Sequence, residues 1–119
     1  MALDRLVAEE QRLRFHLSWT TLGPRLQGAF RIFKALADPA RVAILDALGR
    51  AERAICVCDF TAALGLNQST VSHHLRILKV ANLVSSERRG TWGYYSLAPG
   101  ARKRLEDAVA SVLPVKELV

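Results

Sequence analysis

The chain has 119 residues and a formal net charge of +6, from 17 Lys and Arg residues against 11 Asp and Glu residues. This length suits a single domain with a modest core and is short for a domain that encloses a catalytic cleft. The excess of positive charge is typical of proteins that bind nucleic acid, although an ordinary basic soluble domain would also show it.

Targeting and membrane signals are not expected in this chain. It contains no apolar run of membrane-spanning length, and its first residues, MALDRLVAEEQRLRF, are charged throughout. Neither a transmembrane helix nor a secretory signal is therefore predicted. Cys56 and Cys58 are separated by one residue, a spacing poorly suited to a disulfide between them. A reducing cytoplasm is the expected location.

The first part of the chain is predicted to be helical. Residues 2–17 form an amphipathic segment, and residues 18–24 break the pattern as a connector. The stretch that follows is apolar around much of its circumference, which is usual for a helix buried in a core or against another subunit. Asp38 and Pro39 predict the start of a further helix, because Asp is a favoured N-cap and proline at the first position loses no hydrogen bond. That helix is predicted to end at Gly49 after a core face of Val42, Ile44, Leu45 and Leu48.

The stretch Cys56–Val80 predicts two short helices separated by a tight turn. The first ends at Gly65, and Asn67 is placed to cap the second. The second helix carries an apolar stripe at i, i+4 and i+7, made of Val71, Leu75 and Leu78. Its opposite face holds hydroxyls, an imidazole and cations, which suit phosphate oxygens and base edges in a major groove. This is a predicted helix-turn-helix, and its expected DNA contacts are Gln68, Ser69, Thr70, Ser72, His73, Arg76 and Lys79. The adjacent His74 is expected to pack or to bond to backbone.

A β-hairpin and a last helix are predicted after the recognition helix. Two short strands, residues 82–87 and 93–97, flank a basic tip with the sequence RRGTW. A hairpin at this place is a wing, and Arg88 and Arg89 are expected to reach phosphates or the minor groove; a solvated turn is the alternative. The last helix, from about Pro99 to Leu113, has an apolar side that a symmetric partner's matching helix would cover.

The predicted fold class is mainly α with a small β-hairpin, a winged helix-turn-helix that forms a dimer. Three regions are expected: an N-terminal helical arm (1–24), a DNA-binding and dimerisation domain (25–113) and a C-terminal tail (114–119). A thiol oxidoreductase is disfavoured, because the CxxC spacing and the βαβ context of such enzymes are missing. No convincing acid–base or nucleophile constellation points to another enzyme.

Two cysteines at the start of the first helix of the helix-turn-helix point to metal chemistry. Thiolates are soft ligands that suit Zn(II), Cd(II), Pb(II), arsenite or antimonite. Residues i and i+2 lie on nearly opposite sides of a regular helix, so Cys56 and Cys58 can share an ion only at an irregular helix start. Backbone N–H groups and the positive helix end are expected to lower the thiol pKa there. The alternatives are two small buried residues, or thiols that sense oxidants.

Long stretches of the chain resemble the ArsR/SmtB family of metal-responsive transcriptional repressors. KALADPARVAILDAL is similar to the family's second and third helices, AICVCDFTAALGLNQSTVSHHLRILKVANLV to its metal-box and recognition segment, and RRGTWGYYSL to its wing. The resemblance runs from about Leu26 to Leu113, and CVCD followed by SxVSHHLxxL is a specific combination. It implies a homodimer that holds a palindromic operator when metal-free and releases this DNA when metal binds.

The resemblance leaves the remaining metal ligands open. Family members that bind arsenite often show CVCDxC, and the position of the third cysteine is Thr61 here. Asp59 and a His16 from the partner subunit are candidates to complete a site of mixed S, N and O donors with the two cysteines. Asp59 is equally suited to cap its own helix, and His16 to lie on the surface. The family's second zinc site is not expected, because its positions here hold Pro99, Ala101, Val112 and Val115.

Overall fold

The computed structural model describes residues 22–114. The predicted arm with His16 and most of the predicted C-terminal tail lie outside these residues. Within them the elements follow in the order α1 (Gly23–Leu36), α2 (Pro39–Arg50), β1 (Ile55–Cys56), α3 (Val57–Leu64), α4 (Gln68–Val80), β2 (Val84–Arg89), β3 (Trp92–Leu97) and α5 (Ala101–Val112). Helices α3 and α4 form the helix-turn-helix, and strands β2 and β3 form the wing. The predicted winged helix-turn-helix class is confirmed.

The core lies where α4 meets α2 and the start of the wing. The apolar stripe predicted on α4 is fully buried, as is Ile44 of α2. Leu83, between α4 and β2, is fully buried as well and continues this core toward the sheet. Asp38 caps α2 as predicted: its Oδ1 accepts a hydrogen bond of 2.8 Å from the Ala40 N–H. The core therefore fixes α4 from its apolar side and leaves the opposite side free.

Several predicted boundaries in α1 and α2 are wrong. The predicted connector extends to residue 24, but α1 begins at Gly23, with Pro24 in its first turn, where the absent N–H is not needed. Helix α2 continues to Arg50, so Gly49 does not end it. Val42, predicted to face the core, is 53% exposed, because only Ile44 and Leu48 of that helix are buried.

The apolar surface of α1 is covered on one side only. Helix α1 packs against α5, and its buried residues are Ala29, Ile32 and Ala35. Phe30 and Phe33 point away from this core and are 43% and 37% exposed. Helix α5 begins two residues later than predicted, after Gly100, and its exposed apolar residues are Val109 and Val112, followed by Leu113. The chain thus carries uncovered apolar surface on both helices of this layer.

The sheet has one strand more than the predicted hairpin. Strand β1 pairs antiparallel with β3, which lies between β1 and β2, so that Ile55 is opposite Tyr95 and Cys56 is opposite Tyr94. Two residues are too few to show the alternation by which a strand is predicted. The wing turn consists of Gly90 and Thr91, and Gly90 has φ +65°, as the first position of a tight II′ hairpin turn requires. Among the described residues, no helix is long and apolar enough to cross a membrane.

Candidate DNA-binding surface and thiol site

A tight turn and an N-cap set the direction of α4. Gly65 ends α3 in the left-handed conformation, with φ 66°. Asn67 then caps α4 as predicted: its Oδ1 accepts a hydrogen bond of 2.8 Å from the Thr70 N–H and another of 2.8 Å from the Ser69 hydroxyl. These two bonds fix the first turn of α4, where a recognition helix meets base edges.

The predicted DNA contacts of α4 lie outside its buried stripe. Thr70 and Ser72 are half-buried, and the other five are exposed. Lys79 also reaches toward the wing, because its Nζ donates a hydrogen bond of 2.7 Å to the Ser86 hydroxyl of β2. The structure therefore joins the recognition helix and the wing into one exposed surface.

The two arginines of the wing differ in their surroundings. Arg88 is exposed, and within the described residues its side chain has no hydrogen bond or ion pair. Arg89 forms an ion pair with Glu87, and its guanidinium lies 4.4 Å from the centre of the Tyr94 ring. Arg88 is thus free to contact a phosphate, whereas Arg89 would first have to leave two partners.

His74 belongs to a polar contact between helices that the sequence did not reveal. The expectation that it packs is confirmed, because its side chain is only 12% exposed, but its polar partners are side chains: its Nδ1 lies 3.0 Å from Nη1 of Arg41 and its Nε2 lies 3.9 Å from Asp38 Oδ1. Arg41 also donates from Nε to the Ala35 carbonyl at 2.6 Å, at the end of α1. The hydrogen bond from Ala40 N–H is the main cause of a lowered pKa of Asp38, and the charges of His74 and Arg41 act in the same direction. This contact connects α1, α2 and α4.

The two cysteines lie side by side where β1 passes into α3. Cys56 is buried and extended (φ −70°, ψ 144°), and it is the N-cap of α3. Its sulfur accepts a hydrogen bond of 3.3 Å from the Cys58 N–H. Cys58 is exposed in the first turn of α3. Because Cys56 precedes the helix, Cys56 and Cys58 are not forced to opposite sides of α3, as residues i and i+2 within a regular helix would be. The irregular helix start that a shared ion requires is therefore present.

The expected lowering of the thiol pKa is wrong for Cys58. Its pKa is raised above the ordinary value of 9.0, first by a side-chain hydrogen bond with Cys56, then by burial and by the charges of Cys56 and Asp59. The backbone hydrogen bond at Cys58 acts in the opposite direction and is the smallest of these effects. The Cys56 sulfur, burial and the Asp59 carboxylate together outweigh this backbone hydrogen bond. Both thiols are in contact, and Cys58 holds its proton more firmly than a free cysteine.

The other candidate ligands are not assembled around the two cysteines. Asp59 is exposed in the first turn of α3 and is not its N-cap, because Cys56 has that position. Thr61, at the position of the third family cysteine, donates its hydroxyl hydrogen bond to the Cys58 carbonyl at 2.7 Å. Across residues 22–114, no three His, Cys, Asp or Glu side chains form a group that could hold a metal ion, and His16 lies outside this range.

Comparisons with known proteins agree with this architecture. Residues 38–86 match the model of the family "Bacterial regulatory protein, arsR family". The chain is 47% identical to a transcriptional repressor SmtB homolog of Synechocystis over 68% of this chain and 60% of that protein. It is 48% identical to the arsenical resistance operon repressor of Bacillus subtilis over 55% of this chain and 61% of that protein. The match thus spans about three fifths of the length of each of these two relatives.

Two further relatives are matched over more of their length. An uncharacterized HTH-type transcriptional regulator of Methanocaldococcus jannaschii is 38% identical over 68% of this chain and 90% of that protein. The solution structure of a homodimeric winged helix-turn-helix DNA-binding domain of Mycobacterium bovis, described as a possible ArsR-family regulator, is 35% identical. It superposes with a TM-score of 0.59 over 74% of this chain and 79% of that chain. The chain belongs to the ArsR family of transcriptional regulators, which are DNA-binding proteins and not enzymes.

Proposed function

We propose that this chain is a metal- or metalloid-responsive repressor that binds operator DNA as a homodimer. Arsenite, antimonite or a soft divalent ion (Cd, Pb or Zn) binds at Cys56 and Cys58 and causes release of the DNA. The observation that carries the proposal is the position of the two cysteines at the start of α3, the first helix of the helix-turn-helix, where the Cys56 sulfur accepts a hydrogen bond from the Cys58 N–H. The similarity of the chain to two relatives, an arsenical resistance operon repressor and a transcriptional repressor SmtB homolog, supports it.

DNA binding uses the exposed side of α4 together with the wing. Short hydroxyl and amide side chains at the start of α4 approach base edges, while Arg76, Lys79 and Arg88 bind phosphates. Most affinity in such an interface comes from phosphate contacts and falls as salt concentration rises. The net charge of +6 supports this assignment.

Dimerisation covers the apolar surface left on α1 and α5. Phe30 and Phe33 of α1 and Val109 and Val112 of α5 lie in one helical layer and are exposed in the single chain. A two-fold axis through this layer would bury the same four side chains of both copies, as a self-complementary interface requires. The two α4 helices would then enter successive major grooves about 34 Å apart.

The donor set fits a soft ion in part. Two thiolates suit the metals and metalloids named above, and each thiol must lose its proton on binding a divalent ion. With arsenite, the two S–H protons leave with two hydroxyl groups as two molecules of water. The candidates for further ligands are His16 of the arm, which lies outside the described residues, and Asp59 in the first turn of α3.

Strand β1 offers a route by which the bound ion alters DNA affinity. Cys56 is paired with β3 on one side and caps α3 on the other. An ion that draws the two sulfurs together shifts the β1–α3 junction and therefore moves both the helix-turn-helix and the wing. A coupling of about 1–3 kcal/mol is sufficient for a 5- to 150-fold change in DNA affinity.

The test uses the reduced full-length protein and its own promoter DNA. Cd(II) and arsenite are added separately while thiolate-to-metal absorption in the ultraviolet and DNA binding are followed. Cys56→Ser and Cys58→Ser are expected to keep metal-free DNA binding and to lose ion-driven release, because serine retains a cap but is a hard, weak ligand. His16→Ala is expected to weaken Cd(II) binding and to spare arsenite binding.

Three outcomes would separate this function from its alternatives. Normal ion-driven release by both serine variants would reject the thiol site. Release by an oxidant in the presence of a chelator, without any response to ions, would assign the thiols to redox sensing. Absence of sequence-specific, salt-sensitive DNA binding would reject the repressor itself.

A further inference from the structure

A basic groove of about 480 Å³ lies between α1 and α4, on the side of α4 that carries Arg76. Its cationic side chains come from three helices: Arg31 and Lys34 from α1, Arg41 from α2, and Arg76 from α4 beside His73. Within residues 22–114, no carboxylate lines it. The charged side chains that these residues contribute are therefore all positive, and an anion would stabilise such a place.

The cations around this groove are not all used inside the protein. Arg41 is engaged, because it donates to the Ala35 carbonyl and contacts His74. Lys34 and Arg76 are exposed, and within residues 22–114 neither side chain has a hydrogen bond or ion pair. These two side chains, one on each wall, are available to an anionic group between them.

The floor of the groove is apolar. It is formed by Ala35, which is buried, by the half-buried Ile77 and Ala81, and by Val80, which is 78% exposed. An exposed valine on a helix that otherwise presents polar side chains to solvent is uncovered apolar surface. Phosphates of DNA would match the cations but would leave this floor unused. A ligand with both an acidic group and an apolar body would satisfy both parts.

We propose that this groove binds a small organic anion with an apolar body, such as a medium-chain carboxylate. The acidic group lies between Lys34 and Arg76, and the apolar body covers Val80 and Ile77. The volume falls in the range of small-molecule sites, roughly 300–1,000 Å³. Because His73 and Arg76 belong to the proposed DNA-binding surface, an occupant of the groove lowers DNA affinity without any ion at the thiols. This last consequence rests on the proposed function, whereas ligand binding does not.

The probe is octanoate, titrated by calorimetry into the full-length protein in the presence of a chelator and without DNA. Saturable binding is expected, and 1-octanol, which has the same chain without the charge, should bind much more weakly. Lys34→Gln is expected to weaken octanoate binding about tenfold, as for loss of one charge-assisted contact. Val80→Ser is expected to weaken it several-fold through loss of apolar contact.

Matched controls are available outside the groove. Arg53→Gln removes one positive charge from an exposed side chain outside the groove, and Val42→Ser replaces another exposed valine on a helix. Both are expected to bind octanoate like the unmodified protein. All four variants change exposed residues, so each is expected to fold.

Three results would overturn the proposal. One is absence of saturable octanoate binding. Another is equal weakening in Lys34→Gln and Arg53→Gln, which would assign the binding to overall charge. The third is a loss of promoter binding in Lys34→Gln with octanoate binding absent or unchanged, which would make the groove a subsite for DNA phosphate. Octanoate binding is measured without DNA or metal, so its failure is distinct from failure of the repressor or of the thiol site.

Discussion

Cys56 lies directly opposite Tyr94 in the sheet, so the residue that caps the helix-turn-helix is also paired with the middle of the wing strand β3. From β2, on the other side of β3, the guanidinium of Arg89 lies 4.4 Å from the centre of the Tyr94 ring, and Arg89 is held further by Glu87. A continuous path of contacts therefore leads from the candidate thiol site to the tip of the wing. If ion binding and the wing are coupled along this path, both of its ends respond together.

Replacement of Tyr94 tests this path. In Tyr94→Leu the ring that carries Arg89 is lost, so the ratio of DNA affinities without and with Cd(II) is expected to fall from about 5- to 150-fold toward unity. Tyr94→Phe keeps the ring and should keep the ratio. Fluorescence anisotropy with labelled promoter DNA measures both affinities. An undiminished ratio in Tyr94→Leu would show that the ion acts on the recognition helix without the wing.

The two wing arginines are expected to contribute unequally to DNA binding. Arg88 is free, so Arg88→Ala should reduce the slope of log affinity against log salt by about one, as for loss of one phosphate contact. Arg89 is held by Glu87 and Tyr94, so Arg89→Ala should change the slope less. Equal losses would mean that Arg89 leaves its partners when DNA binds. Arg53→Gln, which changes a positive charge outside the wing, serves as the control.

Binding of a divalent ion should become tighter with increasing pH over an unusually wide range. An ion displaces the Cys58 proton when it binds. Below the pKa of this thiol, each increase of one pH unit therefore raises the apparent affinity for the ion by about tenfold. Because the pKa of Cys58 is raised above its ordinary value, through Cys56, burial and Asp59, the increase is expected to continue to pH 9. In Cys58→Ser, one proton fewer should be released on Cd(II) binding, so the slope of log affinity against pH should fall by about one. Competition for Cd(II) with a chelator of known pH dependence measures this slope.

A change at Asp59 separates two roles of its carboxylate. As a neighbouring negative charge, Asp59 helps to raise the pKa of Cys58. Asp59→Asn removes this repulsion of the thiolate, so the apparent affinity for Cd(II) near pH 7 is expected to rise modestly. A clear loss of affinity would instead identify Asp59 as a ligand.

Features governed by neighbours along the chain were predictable from the sequence. Asp38 and Asn67 cap their helices through hydrogen bonds to residues two or three positions away, and Gly65 adopts the conformation that few other residues tolerate. The buried stripe of α4 follows from helical periodicity alone. The family resemblance added the expectation that thiols and DNA-binding surface belong together.

Features governed by contacts distant along the chain were not predictable. The partner of His74 is Arg41, 33 residues away, and no motif connects them. The pairing of Cys56 with Tyr94 creates a strand of two residues, which has no pattern of its own. The pKa of Cys58 depends on how close the Cys56 sulfur lies, and this is set by an extended conformation before the helix.

The N-cap of the recognition helix should affect stability and DNA binding separately. Asn67→Ala removes the acceptor for both the Thr70 N–H and the Ser69 hydroxyl, so the free energy of unfolding is expected to fall by about 0.5–2 kcal/mol. Asn67→Asp keeps an acceptor that caps equally well, and its stability should be close to that of the unmodified protein. Its new negative charge lies at the end of α4 that meets DNA, so its promoter affinity should nevertheless fall. Chemical denaturation measures the first effect and anisotropy the second. Normal promoter affinity in Asn67→Asp would place the start of α4 away from the DNA phosphates. A loss of stability in Asn67→Asp as large as that in Asn67→Ala would show that the cap needs the amide group and not only its oxygen.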